Sequence, residues 1–202
     1  SEELNIQTIE MANKYRNSGV CGVDIAGDET LFPCSYYKKV FDLAKKYKLN
    51  ITIHAGESTG SDEIMMALDN GAMRIGHGVH LSLDKKTINR VKSKNICFEF
   101  CPTSNLQTKS IESYASNPLK EFIKNGIKVT LNSDNMTCSN TLIYLEFKHM
   151  IETFDLTKEE VLTLLSNAIE ASFTSEEKKI ELRKRLANKF EDFIVYESLI
   201  ID

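Results

Sequence analysis

The stretch from Asn50 to His77, NITIHAGESTGSDEIMMALDNGAMRIGH, decides the fold. It opens on Asn50-Ile51-Thr52-Ile53-His54, a short β-branched run that ends in a titratable side chain. Such a run, bounded by turn-forming residues, reads as a buried strand. Ser61 to Leu68 then has the look of an amphipathic helix, and Arg74-Ile75-Gly76-His77 reads as a second strand. Strand, helix and strand at this spacing make a right-handed parallel βαβ unit.

The same rhythm extends in both directions. Val20-Cys21-Gly22-Val23-Asp24-Ile25 reads as a strand before it, and Ile96-Cys97-Phe98-Glu99-Phe100-Cys101 and Lys128-Val129-Thr130-Leu131-Asn132 as strands after it. Tyr37 to Tyr47, Asp84 to Val91 and Pro118 to Asn125 are predicted helices between them, the last with Pro at its first turn and Gly126 beyond its end. Five parallel strands are expected. Beyond them Thr141 to Phe154, Lys158 to Ser172 and Ser175 to Phe193 read as consecutive helices, with Thr157 and Glu160 forming a capping box. Phe193-Ile194-Val195-Tyr196 is apolar enough to suggest a strand, but a helical C-terminal cover is the better reading.

Composition narrows the classes of partner. Of 202 residues, 42% are hydrophobic and 27% charged, as in ordinary globular chains, and the net charge is -4. Mild acidity gives no reason to expect nucleic acid, which needs clustered Lys and Arg. Lys178-Lys179 and Arg183-Lys184-Arg185 alternate with Glu176, Glu177 and Glu181, a solvated helix face. No run of 18 apolar residues indicates a membrane span, and no signal pattern opens the chain. Five cysteines without framework spacing suit reduced thiols in a cytoplasmic protein.

Polar, titratable groups collect where the strands end. Asp24-Ile25-Ala26-Gly27-Asp28-Glu29, His54-Ala55-Gly56-Glu57-Ser58, His77-Gly78-Val79-His80, Cys101-Pro102-Thr103-Ser104-Asn105 and Asn132-Ser133-Asp134-Asn135 each follow one strand. The carboxyl ends of parallel strands are where a (β/α) barrel builds its active site. His54 and Asp134 are donor types that zinc accepts. Glu57 lies close enough to His54 to face the same cavity, and His77 is available as a base or as an electrostatic partner. A catalytic zinc needs three protein ligands or more, and the residues alone offer two. His80 reads as structural or surface, His149 as unrelated to catalysis, and Cys97 and Cys101 as wall residues. Cys101-Pro102 does not give the Pro-Cys-x-x-Cys element of cytidine-deaminase zinc sites. Met65, Met66 and Met73 are expected in the core.

Taken in order, His54-Ala55-Gly56-Glu57, Gly76-His77-Gly78-Val79-His80, Cys101-Pro102-Thr103-Ser104-Asn105 and Ser133-Asp134-Asn135 resemble the motifs of zinc-dependent adenosine deaminases of the amidohydrolase superfamily. Asp24 to Glu29 and Asn167-Ala168-Ile169-Glu170-Ala171-Ser172-Phe173 are similar to two further segments of that family. The resemblance implies a TIM-type (β/α) barrel, here about strands four to eight with C-terminal helices, and a single partial domain over residues 1–202. It implies His54 and Asp134 as zinc ligands, Glu57 as proton donor to the purine ring, and His77 as the group that orients and activates the attacking hydroxide. Gly27 would offer its backbone N–H to the purine. Asn135 stands where many members carry a second Asp facing N7, and its amide supplies an N–H at any pH.

The implied reaction is hydrolytic deamination of adenosine or deoxyadenosine to inosine or deoxyinosine and ammonia, in purine salvage. The alternatives are an adenine or other aminopurine deaminase, and a truncated non-catalytic paralogue acting as a binding subunit. The family's barrel opens with a His-x-His that supplies two more zinc ligands, and no His-x-His occurs here. The expectation is therefore a chain without the first strands, inactive alone, that pairs with the missing segment or with itself.

Overall fold

A computed structural model of the protein describes residues 1–198, with side chains described through residue 190. Five strands form: β1 (Val23–Ile25), β2 (Ile51–His54), β3 (Arg74–Gly76), β4 (Cys97–Phe100) and β5 (Lys128–Leu131). All pair in parallel in the spatial order of the sequence, β1-β2-β3-β4-β5. A doubly wound sheet would reverse direction at a switch point. Here every right-handed crossover steps the same way, so the connecting helices share one face. The sheet is an arc of a barrel.

Register explains which side chains face where. Ile25, Ile53, Ile75, Phe98 and Val129 lie abreast across the five strands. Except for half-buried Ile25, these residues are fully buried beneath the helices, and Phe98 and Phe100 meet Phe122 edge-on at 5.1 and 4.8 Å. Full burial of each such side chain contributes about 1.5–3 kcal/mol. The alternate set, Asp24, Thr52, His54, Arg74, Gly76, Cys97, Glu99 and Thr130, faces the concave side. That inner face is polar.

The helices run α1 (Glu2–Lys14), α2 (Lys38–Lys46), α3 (Ser61–Asp69), α4 (Lys85–Ser93), α5 (Pro102–Gln107) and α6 (Leu119–Lys124), then α7 (Met136–Ser139), α8 (Ile143–Phe154), α9 (Lys158–Ala171) and α10 (Glu176–Ser198) after β5. α2 begins one residue later than its period suggests, directly after a 3-10 turn at Cys34–Tyr37. The Thr157–Glu160 capping box forms as read. Residues 193–196 continue α10 and form no strand. Met73 lies outside the core in which it was expected. It is half-exposed, because it sits in the turn before β3 and only its backbone N–H reaches Ile51, at 2.9 Å. Met65 and Met66 do pack against the core.

The end of α9 closes the strands at their amino ends. Arg74 forms an ion pair with Glu99 at 3.1 Å, donates to the Thr52 hydroxyl at 3.0 Å and to the Ala171 carbonyl at 3.3 Å, and lies over the Phe173 ring at 3.9 Å. Asn167 donates to the Val129 carbonyl at 3.0 Å. The segment from Asn167 to Phe173 thus plugs one end and leaves the chemistry to the other.

Candidate active site

At the carboxyl ends of the strands the backbone turns sharply. His77 (φ 59°) and Asp134 (φ 55°) both occupy the left-handed region, rare for residues other than glycine. Such conformations persist only where the surroundings hold them, and they cluster at functional sites. Their side chains approach each other, His77 Nε2 to Asp134 Oδ2, within 3.9 Å.

Four groups converge there. His54 and His77 meet edge to face with ring centroids 4.8 Å apart. His77 Nε2 lies 3.4 Å from Glu57 Oε2 and 3.9 Å from Asp134 Oδ2. Asn105 Nδ2 donates to His77 Nδ1 at 3.1 Å, which places the proton of the neutral imidazole on Nε2, facing the two carboxylates. Ser104 donates to Asp134 Oδ2 at 2.8 Å and the Asn135 N–H to Asp134 Oδ1 at 2.7 Å. Thr108 donates to Glu57 Oε1 at 3.1 Å. His54 Nε2 faces Asp24 Oδ2 at 3.5 Å.

Environment separates the titrations. Burial, reinforced by the neighbouring His54, holds His77 below the usual imidazole value despite the Glu57 charge. Burial also works against charge on His54, but the hydrogen bond and charge of Asp24, with Glu57 and Asp134 behind it, lift that imidazole above its ordinary value. Asp134 is lowered, because the Ser104 and Asn135 hydrogen bonds outweigh its burial.

Two sets of donor atoms lie within 4.8 Å of one another: His54, Glu57 and His77, and His77, Cys101 and Asp134. Imidazole, carboxylate and thiol are ligands that zinc takes, so the donor types suit a zinc ion, with His54 and Asp134 in different sets that share His77. Cys101, read as a wall residue, is buried beside His77, and its thiol donates weakly to the Glu99 carbonyl at 3.5 Å. His80 is exposed, and His149 stacks on Tyr114 at 4.6 Å away from the cluster.

The other two expected residues flank this group. Gly27 (φ 145°) lies in the loop after β1 and lines a crevice with His54, and a β-carbon there would meet nothing within 4 Å. Its backbone is thus open to an approaching group. Asn135 caps α7, its Oδ1 accepting from the Thr137 and Cys138 N–H groups at 3.1 and 3.0 Å. The cap uses the oxygen and leaves the amide nitrogen as the donor. Sequence reading gave no role to Ser104, Asn105, Thr108 or Glu29. All but Thr108 stand within a quoted motif, and only the fold reveals their targets.

A polar concave face with imidazoles and carboxylates at successive strand ends defines a barrel of the amidohydrolase type. The sequence profile of the adenosine deaminase family matches residues 1–189, and the chain belongs to that family. It is 40% identical over 185 residues to an adenosine deaminase of Clostridium acetobutylicum, a match covering 91% of this chain and 55% of that one. The chain spans about half the length of the curated relatives it matches. Among solved structures, Arabidopsis ADAL complexed with IMP superposes with a TM-score of 0.85 at 28% identity, covering 95% of this chain and 56% of the other. Adenine deaminase from Arthrobacter aurescens has the same fold, with a TM-score of 0.86 at 24% identity over 95% and 58% of the two chains. Among the described residues, no helix is long and apolar enough to cross a membrane.

Proposed function

We propose that the protein carrying this chain hydrolyses the C6 amino group of adenosine or deoxyadenosine, giving inosine or deoxyinosine and ammonia in purine salvage. The observation that carries this reading is the contact of Glu57 with His77 at 3.4 Å, with Asp134 and His54 completing the cluster on neighbouring parallel strands. The purine-nucleotide complex of the Arabidopsis neighbour supports a small purine ligand.

Each residue has a task. His54 and Asp134 are the zinc ligands this chain contributes. Bound there, zinc would supply Lewis acidity that makes water nucleophilic near neutral pH. His77 holds its Nε2–H toward the attacking oxygen, its tautomer set by Asn105. Glu57 delivers a proton to the purine ring nitrogen beside C6, so the negative charge built on the ring by attack is neutralised as it forms. The proton left on the attacking water's oxygen passes to the amino group, which leaves as ammonia, and C6 keeps the oxygen as a carbonyl. Gly27 presents its N–H to the purine, and Asn135 supplies an amide donor to N7.

We read residues 1–202 as one partial barrel domain. Within the described residues β1 pairs only with β2 and β5 only with β4, so two parallel edges lack partners. Further strands, from residues outside this chain or from a second copy, are needed before the zinc has enough ligands. On this reading the chain alone is nearly inactive. Five unpaired thiols support a reducing compartment, the cytoplasm. A relative acting on adenine or another aminopurine, or a binding subunit without catalysis, are the competing outcomes.

Metal analysis and inosine release decide among them. The protein with a completed barrel should convert adenosine, and Glu57→Gln should lower kcat by about 10²–10⁴-fold, the usual share of a general acid. Preference for free adenine would favour the aminopurine alternative. Purine binding without turnover at full zinc loading would favour the non-catalytic subunit.

A further inference from the structure

The loop after β1 carries a carboxylate that the chemistry above leaves unused. Glu29 is only 5% exposed, and its oxygens accept four hydrogen bonds from the loop after β2. The Glu57 N–H donates to Oε1 at 3.1 Å. Gly56 N–H at 3.0 Å, Thr59 N–H at 3.3 Å and the Thr59 hydroxyl all donate to Oε2. A carboxylate is the side chain suited to this task, since it offers acceptors only and can take several donors at once. A second tie runs between the same two regions: Glu63 of α3 accepts the Cys34 N–H.

The bonded loop is the one that aims Glu57. Gly56 sits at φ +72°, and a β-carbon there would meet Ile64 Cδ1 at 2.5 Å, so the turn is held in one shape from both sides. Glu57 has its side chain on Thr108 and against His77, and its backbone on Glu29. Gly27 lies two residues before Glu29 in the same loop. One carboxylate thereby fixes the spacing between the two loops.

We propose that Glu29 is a positioning residue, which holds the Gly56–Thr59 loop so that Glu57 stands ready for proton transfer and at a set distance from the Gly27 loop. The catalytic half of this inference rests on the deaminase reading; the clamp itself does not. Removing the carboxylate leaves three N–H groups competing for water, and the loop opens toward solvent.

Glu29→Gln keeps the shape but turns a donor toward donors. In that variant the amides of residues 56, 57 and 59 should exchange hydrogen about tenfold faster or more while those of β3 and β4 keep their protection. In the protein with a completed barrel, kcat should fall about tenfold or more, with KM changed less than about threefold, since Glu57 acts on the reacting ring and not on ground-state binding. Thr59→Val, which removes one donor and spares Glu29, should shift both readouts in the same direction but less, and serves if the first variant does not fold. Unchanged exchange, or a loss confined to KM, overturns the proposal. A parent protein that releases no inosine removes the deaminase reading, and exchange then decides the clamp by itself.

Discussion

Gly76 shows how one missing side chain shapes the site. It pairs with His54 across β2 and β3, and a β-carbon there would come within 2.5 Å of the imidazole Cδ2 and 3.0 Å of Nε2. Its backbone is not in the left-handed region, so Gly76→Ala acts through space and not through strain. The variant should push the imidazole away from Asp24 and His77 and weaken zinc binding by about 10–100-fold, as displaced ligand support does. Gly78→Ala is the control. Its β-carbon meets Phe98, not His54, and it must hold a left-handed φ of +68°, so overpacking of about 1–3 kcal/mol and backbone strain of about 1–2 kcal/mol should both lower stability yet leave metal affinity near the parent value. Chelator competition measures the first effect and urea unfolding the second; equal zinc affinity in both variants would refute the steric account. At this scale the sequence was partly legible. His54, Glu57, His77 and Asp134 stand in local motifs at strand ends, and the fold gathers them. The roles of Glu29, Ser104 and Asn105 were not legible, since each acts on a residue about 30 positions away that only the fold brings near.

The elements owe their limits to local chemistry. Strands β1 to β5 were readable because β-branched and aromatic runs alternate with turn residues, and the capping box of α9 because Thr157 and Glu160 have the required spacing. Helices α5 and α7 escaped, with six and four residues, too few to display a helical period. The start of α4 carries a pH prediction. Asp84 caps it, accepting from the Thr87 and Lys86 N–H groups and from the Thr87 and Ser82 hydroxyls. These bonds, that from the Thr87 backbone first, hold its carboxyl down at about 2, against an ordinary 3.8. A folded value below the unfolded one means stability that is fully present above the ordinary value and is lost as acid lowers the pH toward 2. Asp84→Asn keeps a capping oxygen without the titration. Its unfolding free energy should fall less steeply than the parent's between about pH 4 and pH 2. Parallel slopes in that window, measured by urea unfolding, would show that the cap does not titrate as the hydrogen bonds require.

Across the whole molecule, apolar surface is exposed in two places, one of them at the unpaired edge of β1. Beside β1 runs a groove of about 560 Å³ whose walls include Leu4, Ile9, Met11, Tyr15, Val23 and Ile25. Between α8, α9 and α10 a second of about 640 Å³ is lined by Ile143, Tyr144, Phe147, Ile151 and Leu165, among others. Leu4 and Met11, beside the open edge of β1, are each 61% exposed, and Tyr144 in the helical groove 62%, so each belongs to an apolar patch and not to the scatter of single surface hydrophobics. Burying such surface gains about 25 cal/mol per Å², so the chain should associate with itself whenever no other strands cover it. Sedimentation of the purified chain should therefore show mass rising with concentration. Leu4→Lys with Met11→Lys, both exposed on the wall of the β1 groove, should lower that tendency without unfolding the protein, since neither side chain belongs to the buried core. A chain that stays monomeric throughout would mean that the polar concave face and the short edges are solvated well enough to stand alone, and the case for obligatory partner strands would weaken with it.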